Sequence, residues 1–225
     1  MTDGNTQLAV IGAGPGGYAA AFLAADLGLT VTLIDPAENP GGVCLYRGCI
    51  PSKALLHVAR LIHEAADAEA WGVSFGKPKI DIDRMRQWKM DVVNGLTDGL
   101  GRLVVQRNIT HIRASAEFSD DRTLTLMDAD GKISTLGFEH AILATGSRSS
   151  EIATFPTNGD RIWNSKKALD LETVPTTLLV VGGGYIGLEL GSVYAALGSE
   201  VTVVEMLPHL LAGADRDLVR FLTKT

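Results

Sequence analysis

Leu8-Ala9-Val10-Ile11-Gly12-Ala13-Gly14-Pro15-Gly16-Gly17 runs an apolar strand straight into a G-x-G-x-x-G turn whose glycines are Gly12, Gly14 and Gly17. Alanine-rich sequence continues at helical spacing over 17–27, and Gly28 is placed to cap that helix in the left-handed conformation. Thr30-Val31-Thr32-Leu33-Ile34 then reads as a second strand, closed by Asp35. The acid stands 23 positions beyond Gly12, close to the separation of about 20 that suits a ribose-binding carboxylate. Each part has a chemical reason. The glycines allow a tight turn and a close approach to a pyrophosphate, the helix N-terminus faces its charge, and the carboxylate accepts hydrogen bonds from ribose hydroxyls. Strand, glycine loop, helix, strand and acid in this order predict an α/β fold and a dinucleotide site rather than only a tight βα turn.

The same pattern recurs near the end of the chain. Leu178-Leu179-Val180-Val181 is a strand, Gly182-Gly183-Gly184-Tyr185-Ile186-Gly187 a second glycine loop, 188–197 a helix followed by Gly198, and 200–204 a strand ending in Glu205. The spacing from Gly182 to Glu205 is again 23. Two fingerprints predict two dinucleotides. Glu205 would repel a 2′-phosphate and is followed by Met206, with no arginine to receive one, so the second site favours NAD over NADP.

Between the two lies Gly41-Gly42-Val43-Cys44-Leu45-Tyr46-Arg47-Gly48-Cys49-Ile50-Pro51-Ser52-Lys53, which holds both cysteines of the chain. On a regular helix, residues five apart have Cα atoms about 8–9 Å apart, beyond the 4.4–6.8 Å or so that a disulfide needs. A bond between Cys44 and Cys49 would therefore require a break in the helix, which Gly48 permits. Ile50-Pro51 reads as a helix entrance, with Pro51 at the first helical position. That would put the cysteines at a helix N-terminus, where the peptide dipoles and Lys53 favour thiolate. Two other readings stay open at this point: ordinary buried cysteines, and zinc ligands together with His57 and His63. The histidines are six apart on one helix, about 240° around its axis, which is poor geometry for one ion; no metal is expected.

Hydrophobic residues make up 46% of the 225 and charged residues 20%, as in ordinary globular proteins. A net charge of −6 leaves no electrostatic footprint for nucleic acid or an anionic membrane. Residues 1–7 lack a secretory or transit pattern and no apolar run approaches the roughly 20 residues of a membrane span. A cytoplasmic location and a catalytic rather than structural cysteine pair are the expectations.

The cysteine segment and the Ala-Leu-Leu-His that follows Lys53 resemble the redox-active segment of the flavin-dependent pyridine nucleotide–disulfide oxidoreductases, most closely the branch that oxidises dihydrolipoamide. Tyr46-Arg47 departs from the Asn-Val common there. The resemblance implies a redox disulfide between Cys44, which exchanges with substrate thiol, and Cys49, which faces the flavin. It implies FAD in the first unit, against Gly12, Gly14, Pro15, Gly17, Asp35, Gly41, Gly42, Lys53, Ala116, Thr145, Gly146 and Ser147. Lys53 and Glu189 match an ion pair near the flavin. NAD falls to Gly182, Gly184, Tyr185, Ile186, Gly187, Glu189 and Glu205. The implied architecture is an FAD-binding Rossmann-like domain over 1–147, carrying an antiparallel excursion, followed by an incomplete NAD-binding Rossmann-like unit over 148–225. The implied partners are dihydrolipoyl groups on the acyltransferase subunits of 2-oxoacid dehydrogenase complexes, and a second subunit in a full-length homodimer. The family's dimerisation domain, with its His-Pro…Glu pair, has no counterpart in these residues, so the chain is expected to be an N-terminal half that does not turn over alone. Tyr185 matches a nicotinamide-gating tyrosine of other relatives, which keeps a glutathione- or mercuric-reductase-like enzyme open; a non-catalytic FAD-binding fragment is the further alternative.

The remaining sequence predicts a helix from Ser52 to about Ala70 with His57 and His63 as solvated or capping residues, and a second toward Arg102 capped by Asp83. Trp71, Phe75 and Trp88 read as core. Segments around Ile112, 124–127 and 132–136 read as the antiparallel excursion, and 138–143 as a buried strand ending in Ala144-Thr145-Gly146. A connector follows to Pro175 with a short helix near 165–169. With the second sheet stopping after two strands, Val180 and Val203 are expected to be poorly covered.

Overall fold

The apolar run ahead of Gly12 forms most of β1 (Gly4–Ile11), in which Ala9 and Val10 are fully buried. In the computed structural model, which describes residues 4–150 and 160–223, β1 is flanked by β2 (Val31–Ile34) and β6 (Ile133–Leu143), both parallel to it. Helix α1 (Pro15–Asp26) makes the crossover from β1 to β2. All four β2 residues are buried, the continuous apolar pattern of a strand covered on both faces. Gly28 takes a φ of 90° and its N–H reaches Ala25 O, closing α1 as expected.

The strand order is β3-β2-β1-β6-β5-β4, with β3 (Thr110–Ile112), β4 (Ser115–Phe118) and β5 (Thr123–Met127) completing the sheet. Two corrections arise here. The segment around Ile112 belongs to the parallel part, paired with β2, and not to the antiparallel excursion. The segments 132–136 and 138–143 are one strand: its first half pairs antiparallel with β5 and the rest parallel with β1, running through Gly137. A Cβ at Gly137 would lie 2.0 Å from Asn5 Oδ1, so a larger residue there would have to displace the Asn5 side chain. Beyond Phe138 this strand is only half-covered, and Leu143 is exposed. Only Arg113 and Ala114 separate β3 from β4, although these strands stand at opposite ends of the order. A link that short spans about 11 Å at most, so the β4–β5 ribbon curls over the parallel strands. Ile11, Ile34, Ala114, Leu124, Leu126 and Phe138 accordingly share one core cluster.

The described residues of 1–50 and 91–148 form one compact unit, and those of 51–90 and 149–225 another. In the second, α6 (Tyr185–Ala196) packs on a two-stranded parallel sheet, β7 (Thr177–Val181) and β8 (Glu200–Val204). Leu55 and Ala59 of α3 (Cys49–Asp67), Leu169 of α5 (Ser165–Asp170), and Leu190, Val193 and Tyr194 of α6 form its core. The short helix near 165 is thus present, while the rest of the connector over 151–159 lies outside the described residues.

Helix α4 (Ile82–Gln106) begins two residues earlier than a cap at Asp83 would give, and Asp81, not Asp83, caps it, accepting the Arg84 N–H at 2.9 Å. Asp83 lies within the first turn, where its carboxylate pairs with Arg86. Trp71, Phe75 and Trp88 are also corrected: Trp71 is 76% and Phe75 69% exposed, and Trp88 lies at the surface beside the His57 ring. Apolar composition alone placed them inside, whereas residues 71–76 are all exposed. His57 and His63 are exposed, as expected.

Candidate functional site

The two glycine loops are built alike. Gly12 has a φ of 98° and Gly182 one of 110°. A Cβ at Gly17 would fall 1.8 Å from Gly12 O, and one at Gly187 2.4 Å from Gly182 O, so the third glycine of each motif is dictated by helix–turn contact. Both loops lead into helices whose N-caps, Gly14 and Gly184, offer no side-chain cap, and Pro15 stands at the first position of α1. The first-turn N–H groups are thus left for an anion, and a Cβ at Gly16 or Gly184 would meet nothing within 4 Å. This donor set fits a pyrophosphate at each loop.

Asp35, just beyond β2, accepts the Ala13 N–H at 2.8 Å and the Ala37 N–H at 2.9 Å. Glu205, just beyond β8, accepts the Gly183 N–H at 2.7 Å and the Leu207 N–H at 2.9 Å. The Leu207 and Gly183 bonds hold the Glu205 carboxyl below its ordinary range. Thr145 and Gly146 follow β6 directly beside the first loop, where a Cβ on Gly12 would lie 3.1 Å from Thr145 Cα, and Ser147 is exposed after them. Ala116, on β4, packs with Ile112 on the cluster that holds Ile34, which brings the ribbon toward the Asp35 end of β2. Tyr185 and Ile186 are exposed at the start of α6.

The cysteine segment breaks where a bond between the thiols would require it. Helix α2 (Gly42–Arg47) stops at Gly48 and α3 starts at Cys49. A Cβ at Gly48 would lie 3.0 Å from Val43 O and 3.5 Å from Cys44 Cα, so glycine lets the two helix ends approach. Pro51 is the third residue of α3, not the first; the helix begins at Cys49. Gly42 sits against the first glycine loop, its added Cβ only 2.5 Å from Gly14 Cα, and Gly41 donates to Ala13 O at 2.8 Å. Tyr46, one of the two departures from the family pattern, donates its hydroxyl to Asn39 O at 3.0 Å. Cys44 is half-buried and Cys49 exposed. Burial pushes the Tyr18 phenol up, and the charge of Cys44 adds to the push.

Lys53 Nζ meets Glu189 Oε1 at 2.6 Å, pairing α3 with α6 within the second compact unit. Sequence reading missed His111 on β3, whose Nε2 is buried without a partner and whose imidazolium is disfavoured by burial. It also missed Lys89, almost fully buried, with Nζ on Leu169 O at 2.5 Å. Neither carries a motif; a lone histidine or lysine reveals its burial only in three dimensions. Among the described residues no group of three or more His, Cys, Asp or Glu could hold a metal, and no helix is long and apolar enough to cross a membrane.

Two glycine loops, each with its acid, and a cysteine pair at a helix break define a class: nucleotide-binding α/β proteins that carry a dithiol. The family model described as pyridine nucleotide-disulphide oxidoreductase matches residues 6–225, and the chain belongs to that family. It is 49% identical over 219 residues to a dihydrolipoyl dehydrogenase of Haemophilus influenzae, with 97% of this chain matching 46% of that one. A dihydrolipoyl dehydrogenase of Haloferax volcanii is 45% identical over 221 residues, again 97% of this chain and 46% of that one. The chain thus spans about half the length of the curated relatives it matches. Among solved structures, a Cu(II) complex of the HOCl-induced flavoprotein disulfide reductase RclA from Escherichia coli superposes with a TM-score of 0.82 at 29% identity, covering 100% of this chain and 47% of that one.

Proposed function

We propose that this chain supplies the FAD site, the redox dithiol and part of the NAD site of an enzyme that oxidises protein-bound dihydrolipoamide to lipoamide and reduces NAD. The observation that carries the reading is that the segment bearing both cysteines is held, through Gly41 and Gly42, against the first of two duplicated glycine loops. The identity to dihydrolipoyl dehydrogenases supports the substrate class. We keep the division at 147/148 as the boundary between the nucleotide sites, although the compact units group 51–90 with the later residues.

Starting from a Cys44–Cys49 disulfide, a substrate thiolate attacks Cys44 Sγ and Cys49 leaves as thiolate. The second substrate thiol then displaces Cys44, closing the lipoyl disulfide and leaving both cysteines reduced, with two electrons transferred. FAD, when bound, supplies the relay of those electrons to NAD. Cys49, the leaving group of this exchange, stands at the first position of the 19-residue α3. Lys53 is assigned the positive charge near the flavin, where reduction adds negative charge, with Glu189 orienting it. The proposed setting is a homodimer acting on lipoyl groups of 2-oxoacid dehydrogenase complexes in the cytoplasm. Tyr185, exposed at the NAD loop, favours the second reading, a glutathione- or mercuric-reductase-like enzyme.

The test is anaerobic. The chain reconstituted with FAD and mixed with dihydrolipoamide should lose flavin absorbance in a single turnover, and Cys49→Ser should abolish this. Steady-state NADH formation should stay well below about 1 per second, since none of His57, His63, His111, His140 or His209 precedes a proline as the family's base does. Bleaching by glutathione but not by dihydrolipoamide would favour the second reading; no flavin binding at all would sink both.

A further inference from the structure

We propose that Asp35 and Glu205 are positioning residues that hold their glycine loops in binding shape before any nucleotide arrives, through a three-bond clasp that the chain builds twice. The inference rests on the dinucleotide reading and adds to it a role that no ribose contact requires.

In each unit the middle residue of G-x-G is gripped on both sides. Ala13 gives its N–H to Asp35 Oδ2 at 2.8 Å, and its carbonyl accepts from Gly41 N at 2.8 Å. Gly183 gives its N–H to Glu205 Oε2 at 2.7 Å, and its carbonyl accepts from Leu211 N at 2.9 Å. The other carboxylate oxygen takes the N–H two residues on, from Ala37 or Leu207, at 2.9 Å in both units. The donor that returns to the loop lies six residues past the acid in both. The turns have little sequence in common: Pro36-Ala37-Glu38-Asn39-Pro40-Gly41 in one, Met206-Leu207-Pro208-His209-Leu210-Leu211 in the other. What repeats is the hydrogen bonding.

The second unit shows how firmly the turn is held. Leu211 has a φ of 49°, a left-handed conformation that a leucine keeps only where its surroundings over-determine it, and the Leu210 side chain closes on Gly183. The clasp needs two acceptor oxygens on one side chain. A carboxylate has both, whereas an amide has one and would set its NH₂ against a backbone N–H. The second unit therefore requires Glu205 ionised even when no ribose is present.

The experiment uses the 225-residue chain with Glu205→Gln, probed with NAD and with its 2′,3′-dideoxyadenosine analogue, which has no adenosine hydroxyl for the acid to bind. Positioning predicts that Glu205→Gln weakens the dideoxy analogue about tenfold, the effect of one backbone donor left unpaired. A pure ribose contact predicts no loss, or a gain from removing a charge that repels the pyrophosphate; that result would overturn the proposal. Amide hydrogen exchange in the nucleotide-free protein supplies the independent measurement. Gly183 and Leu211 should exchange about tenfold faster in Glu205→Gln, and Ala13 and Gly41 likewise in Asp35→Asn. Unchanged exchange in both variants refutes the clasp. A wild-type chain that binds neither nucleotide would refute the NAD reading instead, and the exchange data would then decide the clasp by themselves.

Discussion

Cys44 and Cys49 stand five residues apart in different surroundings, and that difference sets their chemistry. Cys49 opens α3 and is exposed, whereas Cys44 is half-buried. In the reduced chain without added FAD, limiting iodoacetamide should therefore label Cys49 before Cys44, and added FAD should slow Cys49 selectively. Peptide mapping reads this directly, and preferential labelling of Cys44 without FAD would contradict it. The Lys53–Glu189 pair belongs to the same scale. Lys53 is 58% exposed, so the pair contributes about 1 kcal/mol or less to stability. Both cysteines, Lys53 and both acids were legible in the sequence because their motifs are local. The accessibility of the thiols was not, since it depends on how α1 lies against α2.

At the scale of elements, the end of α5 shows polar groups doing work no motif announced. Tyr194 of α6, almost fully buried, donates to Ala168 O at 2.8 Å, and Lys89 of α4 donates to Leu169 O. These bonds satisfy carbonyls that a helix C-terminus leaves unpaired. Burial first, then the charges of Asp170 and Glu172, push the Tyr194 phenol up to about 12. A phenol raised in the folded state contributes stability that is complete below pH 10 and is lost as pH rises through the interval from 10 to about 12. The loss from this group amounts to roughly 2–3 kcal/mol. Lys89 runs the other way, because burial lowers its pKa and so stability rises as it deprotonates. Denaturant melts at pH 9 and 11 should show Tyr194→Phe less stable than wild type at pH 9, by about 1–2 kcal/mol, with the gap narrowing at pH 11. A constant gap would show that folding does not raise the phenol's pKa.

The described residues hold two sheets finished to different degrees, the first mixed and the second parallel. The first has six strands with a core on both sides of β1 and β2, the second only β7 and β8. Val180 and Val203 were expected to be poorly covered, but they lie half-buried on the face that α6 shields. The bare face is the alternate one, where Leu179 is 60% exposed, Val181 55% and Val204 44%. Apolar strand residues in a row invite association. The chain should therefore self-associate as its concentration rises, and replacing Leu179, Val181 and Val204 together by threonine, which suits strands, should raise the monomer fraction in sedimentation. A wild-type chain that stays monomeric at high micromolar concentration would count against this.

The sequence by itself determined the two βαβ units, the glycine positions, the acids and the helix break at Gly48, because each depends on backbone geometry within about 30 residues. It also carried the parallel arrangement of β1 with β2 and β7 with β8, since a helical crossover brings strands back side by side. Only the tertiary structure decided that β3 joins the parallel strands, that β6 serves two partners, and that the excursion curls over the sheet. It likewise decided that Trp71 and Phe75 lie outside, and that Asp35 and Glu205 grip loops 22 residues back in the chain. Those outcomes depend on which surfaces meet after the chain has turned several times, and a period of two or 3.6 residues contains no information about that.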